Sequence, residues 1–201
     1  PVRYIGNRSS GKMGFAIAEA AAARGAEVTL VAGPVSLPTP PGVTRVDVET
    51  AAEMFAAVMR HRADKDISVL AAAVADYTIA EPAAEKIKKD ASGEDGLSLA
   101  LLRTRDILAT LGRERQAGVL VGFALETEND RENATRKLRE KSADMIVLNN
   151  PRVDGSGFGS DSNVATLFFA DGREESLTRM SKRALADIIL DRAAAALQPA
   201  S

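Results

Sequence analysis

The residues able to do chemistry concentrate in a few short segments. The first, Gly6-Asn7-Arg8-Ser9-Ser10-Gly11-Lys12-Met13-Gly14, stands directly before an alanine-rich stretch with helical spacing. Amides at a helix start lack partners within the helix, and the peptide dipoles add partial positive charge there. Ser9, Ser10, Gly11 and Lys12 therefore form a candidate phosphate-binding turn. Gly6, four residues, then Gly11-Lys12 approaches the spacing of a P-loop, but Met13 stands where a serine or threonine must ligate magnesium, which rejects that motif. A glycine-rich connector closed by a capping serine accounts for the same residues.

The second segment, Ala71-Ala72-Ala73-Val74-Ala75-Asp76-Tyr77, ends a strand-like run at the place where open α/β sheets bind ligands. A carboxylate there coordinates magnesium or orients a nucleotide; a helix or turn cap is the alternative role for Asp76. Glu85-Lys86-Ile87-Lys88-Lys89 follows in a long polar stretch. Such lysines either form a solvated face or close over a triphosphate and stabilise charge on departing pyrophosphate. Lys137 and Lys141 share one helix face with Arg136 and Arg139 beside them, a pattern that ordinary surface charge also explains. His61, the single histidine, lies between arginines with no nucleophile tied to it and is assigned a structural role.

These segments need elements to position them. Helices are expected over Met13 to Arg24, stopped by Gly25, over Thr50 to Arg62, opened by a Thr50 cap with Glu53, and over Arg105 to Arg115 and Asn129 to Lys141. Strands are expected over Glu27 to Ala32, Ile67 to Val74, Val119 to Leu125 and Met145 to Leu148. Val164 to Ala170 and Glu174 to Leu177, joined by Asp171-Gly172, predict a hairpin, and Ser181 to about Leu197 a last helix. The alternation predicts an α/β, Rossmann-like fold: a mostly parallel sheet with helices on both faces, plus a carboxyl-terminal β-hairpin and helix. Val35 to Val43 and Asp76 to Gly96 fit no regular element.

Composition narrows the partners. The 201 residues are 45% hydrophobic, enough for one compact domain. A formal charge of -2 without a basic block argues against nucleic acid, and no apolar run reaches bilayer length, so no membrane association is expected. With no cysteine, thiolate catalysis and cysteine-zinc sites are excluded, and the composition fits the cytoplasm. A dehydrogenase would place an acidic residue at the end of its second strand; here that strand ends Val31-Ala32-Gly33-Pro34. Gly33 suggests close passage of ligand or backbone, or a plain turn.

Taken together, Val2-Arg3-Tyr4-Ile5-Gly6-Asn7-Arg8-Ser9-Ser10-Gly11-Lys12-Met13-Gly14, Ala72-Ala73-Val74-Ala75-Asp76-Tyr77 and Lys86-Ile87-Lys88-Lys89 resemble the bacterial phosphopantothenoylcysteine synthetase family. The likeness continues through Gly33-Pro34-Val35-Ser36-Leu37, Gly122-Phe123-Ala124-Leu125-Glu126-Thr127, Lys137 to Lys141 and Asn149-Asn150, and so covers essentially the whole chain. It implies a ligase of coenzyme A biosynthesis that uses CTP, with Mg2+, to join 4′-phosphopantothenate to cysteine through an acyl-cytidylate. By the same resemblance Asn7 handles the acyl-cytidylate and Lys86 contacts the nucleotide. Ala72, Ala73, Asp76, Asp106, Ile107, Phe123, Lys137 and Lys141 match nucleotide-site positions; Arg105 stands where relatives often have proline. Arg3 matches a residue near the active site and subunit interface, which implies a homodimer.

The family is commonly the carboxyl-terminal half of a bifunctional protein whose other half is a flavin-dependent decarboxylase, and nothing here resembles that flavin half. Relatives carry an earlier strand and glycine-threonine turn leading into the first segment. The expectation is a single CTP-dependent synthetase domain over residues 1–201 that lacks its first strand. The rival readings are an NAD(P)-binding oxidoreductase and a non-catalytic nucleotide-binding regulator.

Overall fold

The computed structural model describes residues 5–7, 9–83, 85, 98–114, 118–125, 130–149 and 162–197. Along the chain come α1 (Lys12–Ala23), β1 (Val28–Ala32), β2 (Val43–Asp47), α2 (Ala51–His61), β3 (Ile67–Leu70), β4 (Tyr77–Ile79), β5 (Leu101–Arg103) and α3 (Ile107–Glu114). They are followed by β6 (Val119–Leu125), α4 (Asp130–Glu140), β7 (Met145–Asn149), β8 (Ser162–Asn163), β9 (Ala165–Phe169), β10 (Glu174–Ser176), β11 (Met180–Ser181) and α5 (Lys182–Leu197).

Local chemistry sets most boundaries. Gly25, at φ +83, ends α1, with its amide on the Ala22 carbonyl and that of Ala26 on Ala21, as in a helix stop built on a left-handed residue. At α2 the expected capping box is complete: Thr50 Oγ1 accepts from the Glu53 amide, and Glu53 Oε2 accepts from the amides of Thr50 and Glu49.

The central sheet runs β10-β9-β7-β6-β3. β3, β6 and β7 are parallel, with Ile67 opposite Val119 and Val121 opposite Met145, and the β9–β10 hairpin closes one side antiparallel. Both faces are covered, so successive residues of one strand enter different cores. Val119 and Val121 of β6, Met145 and Val147 of β7 and Leu167 of β9 join Ile17 and Ala20 of α1 and Leu185 and Ile189 of α5. Leu120, Ala124, Ile146, Leu148 and Phe168 meet Met54 of α2, Leu108 and Leu111 of α3, and Leu138 of α4. The expected mostly parallel architecture with helices on both faces, hairpin and last helix is present.

Several boundaries need correction. Val43–Asp47 is a strand that sequence reading passed over; its alternation is weak, and only parallel pairing with β1, Val28 opposite Val43, makes it one. Asp76 to Gly96 is not irregular throughout, because Tyr77–Ile79 pairs antiparallel with Leu101–Arg103; residues 84 and 86–96 lie outside the described residues. The strand expected to reach Val74 ends at Leu70. The helix expected from Arg105 begins at Ile107, since Asp106 Oδ1 accepts from the Ala109 amide at 2.8 Å and so caps it. Among the described residues, the remaining edges of β1 and β3 have no ladder partner, and no helix is long and apolar enough to cross a membrane.

Candidate functional site

The carboxyl ends of β1, β3, β6 and β7 line part of a long open groove of about 3980 Å³, which also follows β1 and β3 to their amino ends at Val28 and Ile67. Asn7, Ser9, Ser10, Gly11, Lys12, Gly33, Ala72, Ala73, Asp76, Asp106, Ile107, Phe123, Lys137 and Lys141 all line this groove, and direct contacts join Asn7 to Val74, Lys137 to Phe123 and Lys141 to Asp106. Arg3 and Lys86 lie outside the described residues. A smaller groove of about 820 Å³, between α4 and the β9–β10 hairpin, holds none of them.

The glycine turn is built for close approach. Gly11 has φ +72, and a side chain added there would come within 3.0 Å of Val35 Cγ1, so glycine is required on both counts. The N-cap position of α1 is Gly11, which has no side chain to cap it, and Ser9 Oγ accepts from the Gly11 amide at 3.3 Å. The capping-serine alternative is thereby corrected, and the helix start keeps its dipole directed into the cleft. Gly14 approaches Ala71, which sets the turn beside the chain leaving β3. Asn7 completes that join: its Nδ2 donates to the Val74 carbonyl at 3.1 Å. Gly33 lines the cleft without a positive φ, and a methyl there would make only ordinary contact with Met54 Cε at 3.8 Å.

Across the cleft, α3 and α4 bring cations to the end of β6. Lys137 Nζ donates to the Phe123 carbonyl at 2.8 Å, and Lys141 Nζ pairs with Asp106 Oδ2 at 2.9 Å. Burial works against ionisation of Asp106, but the Ala109 amide and Lys141 outweigh it and hold the carboxyl below its usual range. Its folded-state value being depressed, this contribution is complete above ordinary carboxylate pH and lost as pH falls through the lowered value. Both Asp106 oxygens are engaged, so its side chain organises the site rather than offering a free carboxylate. Asp76 is exposed at the cleft, its carbonyl accepting from the Thr104 amide at 2.9 Å.

Sequence reading missed other residues here. Buried Asn163, 5% exposed, accepts from Lys182 Nζ at 2.8 Å through Oδ1, and both line the cleft. Asn149, at the end of β7, carries a buried Oδ1 with no partner among the described residues. Thr104 joins the chain after β5 to that before β4. Asn149 belongs to the Asn149-Asn150 pair of the resemblance but was given no role, and only a buried-strand assignment around Asn163 would have drawn attention to its polarity.

Residues 1–197 match the family described as the DNA/pantothenate metabolism flavoprotein C-terminal domain. The chain is 50% identical over 192 residues to the coenzyme A biosynthesis bifunctional protein CoaBC of Escherichia coli, covering 95% of this chain and 47% of that protein. Against the Bacillus subtilis CoaBC the identity is 44% over 196 residues, covering 97% and 48%. The chain thus spans about half the length of these curated relatives. A crystal structure of a CoaBC C-terminal domain superposes with a TM-score of 0.80 at 42% identity, over 96% of this chain and 85% of that one. The match across 197 residues and the agreement with that solved domain lead to one conclusion: the chain belongs to the DNA/pantothenate metabolism flavoprotein C-terminal domain family.

Proposed function

We propose that this domain joins 4′-phosphopantothenate to L-cysteine at the expense of CTP. A carboxylate oxygen of phosphopantothenate attacks the α-phosphorus of CTP, and the bond to pyrophosphate breaks. The neutral cysteine amine then attacks the acyl carbon of the resulting acyl-cytidylate. The carbon–oxygen bond to CMP breaks, and the amine loses a proton as the amide forms. The observation that carries this reading is that the glycine turn at the start of α1, joined through Asn7 to the chain leading into Asp76, lines the same groove as Lys137 and Lys141, which meet Phe123 and Asp106.

The turn at Ser9, Ser10, Gly11 and Lys12 receives phosphate, Lys137 and Lys141 add positive charge, and Lys86 neutralises pyrophosphate as it leaves. Main-chain groups at Ala72, Ala73, Ile107 and Phe123 contact the nucleotide, and Arg3 serves the substrate or the subunit interface. Among the described residues no three or more His, Cys, Asp or Glu side chains gather as a metal cluster. Magnesium carried by nucleotide phosphates needs only one or two protein carboxylates, and exposed Asp76 fits that need. Such a magnesium would offset phosphate charge.

The test is mass spectrometry of a reaction containing phosphopantothenate, cysteine and either CTP or ATP. CMP and pyrophosphate are expected only when both acid and amine are present with CTP. Nicotinamide reduction, or CTP binding without turnover, would overturn the reading.

Two assembly features accompany it. The β4–β5 ribbon leaves Tyr77, Leu101 and Leu102 exposed at 45%, 44% and 57%. Leu101 and Leu102 point to opposite faces of one strand, and a ribbon with two uncovered apolar faces is not stable alone. A second copy pairing its own ribbon by two-fold symmetry covers both. Leu102→Glu is expected to shift a dimer to monomer in analytical ultracentrifugation; a monomeric parent protein sinks this proposal. Among the described residues the outer edges of β1 and β3 have no ladder partner and both strands line the same groove, which supports a further parallel strand between them. Amide exchange at Val31 and Val69 that stays unprotected in the longer protein would exclude such a strand. Because the chain spans about half the length of its bifunctional relatives, a flavin-dependent decarboxylase domain is the proposed partner of this one, acting with it in the cytoplasm.

A further inference from the structure

We propose that Thr104 is a positioning residue for nucleotide binding, fixing Asp76 and the start of α3 relative to each other at the cleft. The inference rests on the CTP-ligase reading and gives a role to Thr104, which heads the segment Thr104-Arg105-Asp106-Ile107 and to which the sequence assigned none.

The backbone amide of Thr104 donates to the Asp76 carbonyl at 2.9 Å, and its hydroxyl donates to the Ala75 carbonyl at 2.7 Å. One residue leaving β5 thereby holds two successive carbonyls entering β4. The amide bond is available to any residue but proline. The hydroxyl bond is available only to threonine or serine, and it fixes the peptide plane between Ala75 and Asp76, hence the direction in which the Asp76 side chain leaves the backbone.

The next two residues are pinned elsewhere. The Arg105 guanidinium carbon lies 3.8 Å from the centre of the Phe55 ring on α2, so this chain's departure from proline makes a stacking contact. Asp106 caps α3 and pairs with Lys141, the residue just past α4. Consecutive residues therefore tie the β3–β4 connection, α2 and the α3–α4 pair together, and Thr104 is the only link of the three that reaches Asp76.

Steady-state kinetics and melting of Thr104→Val and Thr104→Ser test the assignment. Valine keeps the shape and removes the donor. Loss of one net hydrogen bond corresponds to about threefold to tenfold in affinity, and that rise is expected in KM for CTP for Thr104→Val, with kcat within about twofold. Thr104→Ser is expected to restore KM. An unchanged KM in Thr104→Val overturns the inference, and so does a serine variant that fails to restore it, because packing of the methyl rather than the hydroxyl would then matter. If the parent protein forms no CMP, the ligase reading falls and takes this inference with it. Turnover by the parent together with normal KM in Thr104→Val removes the Thr104 role alone.

Discussion

Asn7→Asp should lower kcat/KM for ligation by about two to three orders of magnitude while leaving the fold intact. Asn7 Nδ2 donates to the Val74 carbonyl at 3.1 Å and so fastens the glycine turn to the chain running into Asp76. An aspartate has no donor at that position, and its carboxylate would face the carbonyl oxygen directly. It would also set a negative charge next to the turn proposed to receive phosphates, where the field of the helix start otherwise favours anions. These effects act in the same direction, and Asn7 is exposed, so little core packing is at stake. Rapid-quench analysis should show slow passage through the acyl-cytidylate, with a melting temperature within about 2 °C of the parent, as for a surface change. Normal turnover by the variant would falsify the role given to Asn7.

Gly112→Ala should be the most destabilising single methyl in this part of the molecule. Gly112 lies on α3 where it passes the end of α4. A Cβ there would collide with the carbonyl oxygen of Lys141 and come within 3.2 Å of Ser142 Cβ. Alanine is the better helix former by about 1 kcal/mol, which argues for stabilisation. The collision wins, because a backbone carbonyl at a helix end cannot swing aside as a side-chain tip can, and overpacking of this kind costs about 3 kcal/mol. The net expectation is a loss of about 2 kcal/mol, or about 4–8 °C in melting temperature for a domain of this size. Moving α3 also stretches the contact between Asp106 and Lys141, now 2.9 Å, so a raised KM for CTP should accompany the lower stability. A melting temperature equal to that of the parent would show that α3 and α4 do not approach so closely.

Family membership bears on these predictions through the site, since the family match over residues 1–197 spans the glycine turn, the Ala72 to Asp76 segment, Lys137 and Lys141. An S. pneumoniae DNA/pantothenate metabolism flavoprotein at 21% identity, with a TM-score of 0.79, carries the same fold. The architecture thus survives wide divergence of sequence. That is expected where two cores need only apolar residues of suitable size alternating along strands.

Periodicity along the chain determined the larger elements of this protein, because helix and strand faces repeat over a few residues and need no distant partner to be recognised. Val119–Leu125, the Asp171-Gly172 hairpin and the Thr50–Glu53 capping box were all legible in this way. The glycine turn and Asp76 were legible from position too, since ligands meet open sheets at strand ends, whereas Asp106, Ile107, Phe123, Lys137 and Lys141 were marked only by resemblance to a family. Tertiary structure alone decided what depends on non-local approach. Val43–Asp47, Tyr77–Ile79 and Leu101–Arg103 are too short or too weakly alternating to be strands until another strand supplies ladder bonds. Asp106 meeting Lys141, Thr104 meeting Ala75, and Gly112 admitting the end of α4 involve residues 29 to 35 positions apart at most, yet no spacing rule predicts them. Such contacts follow from how helices settle on a sheet, and that geometry is set by the packing of both cores together.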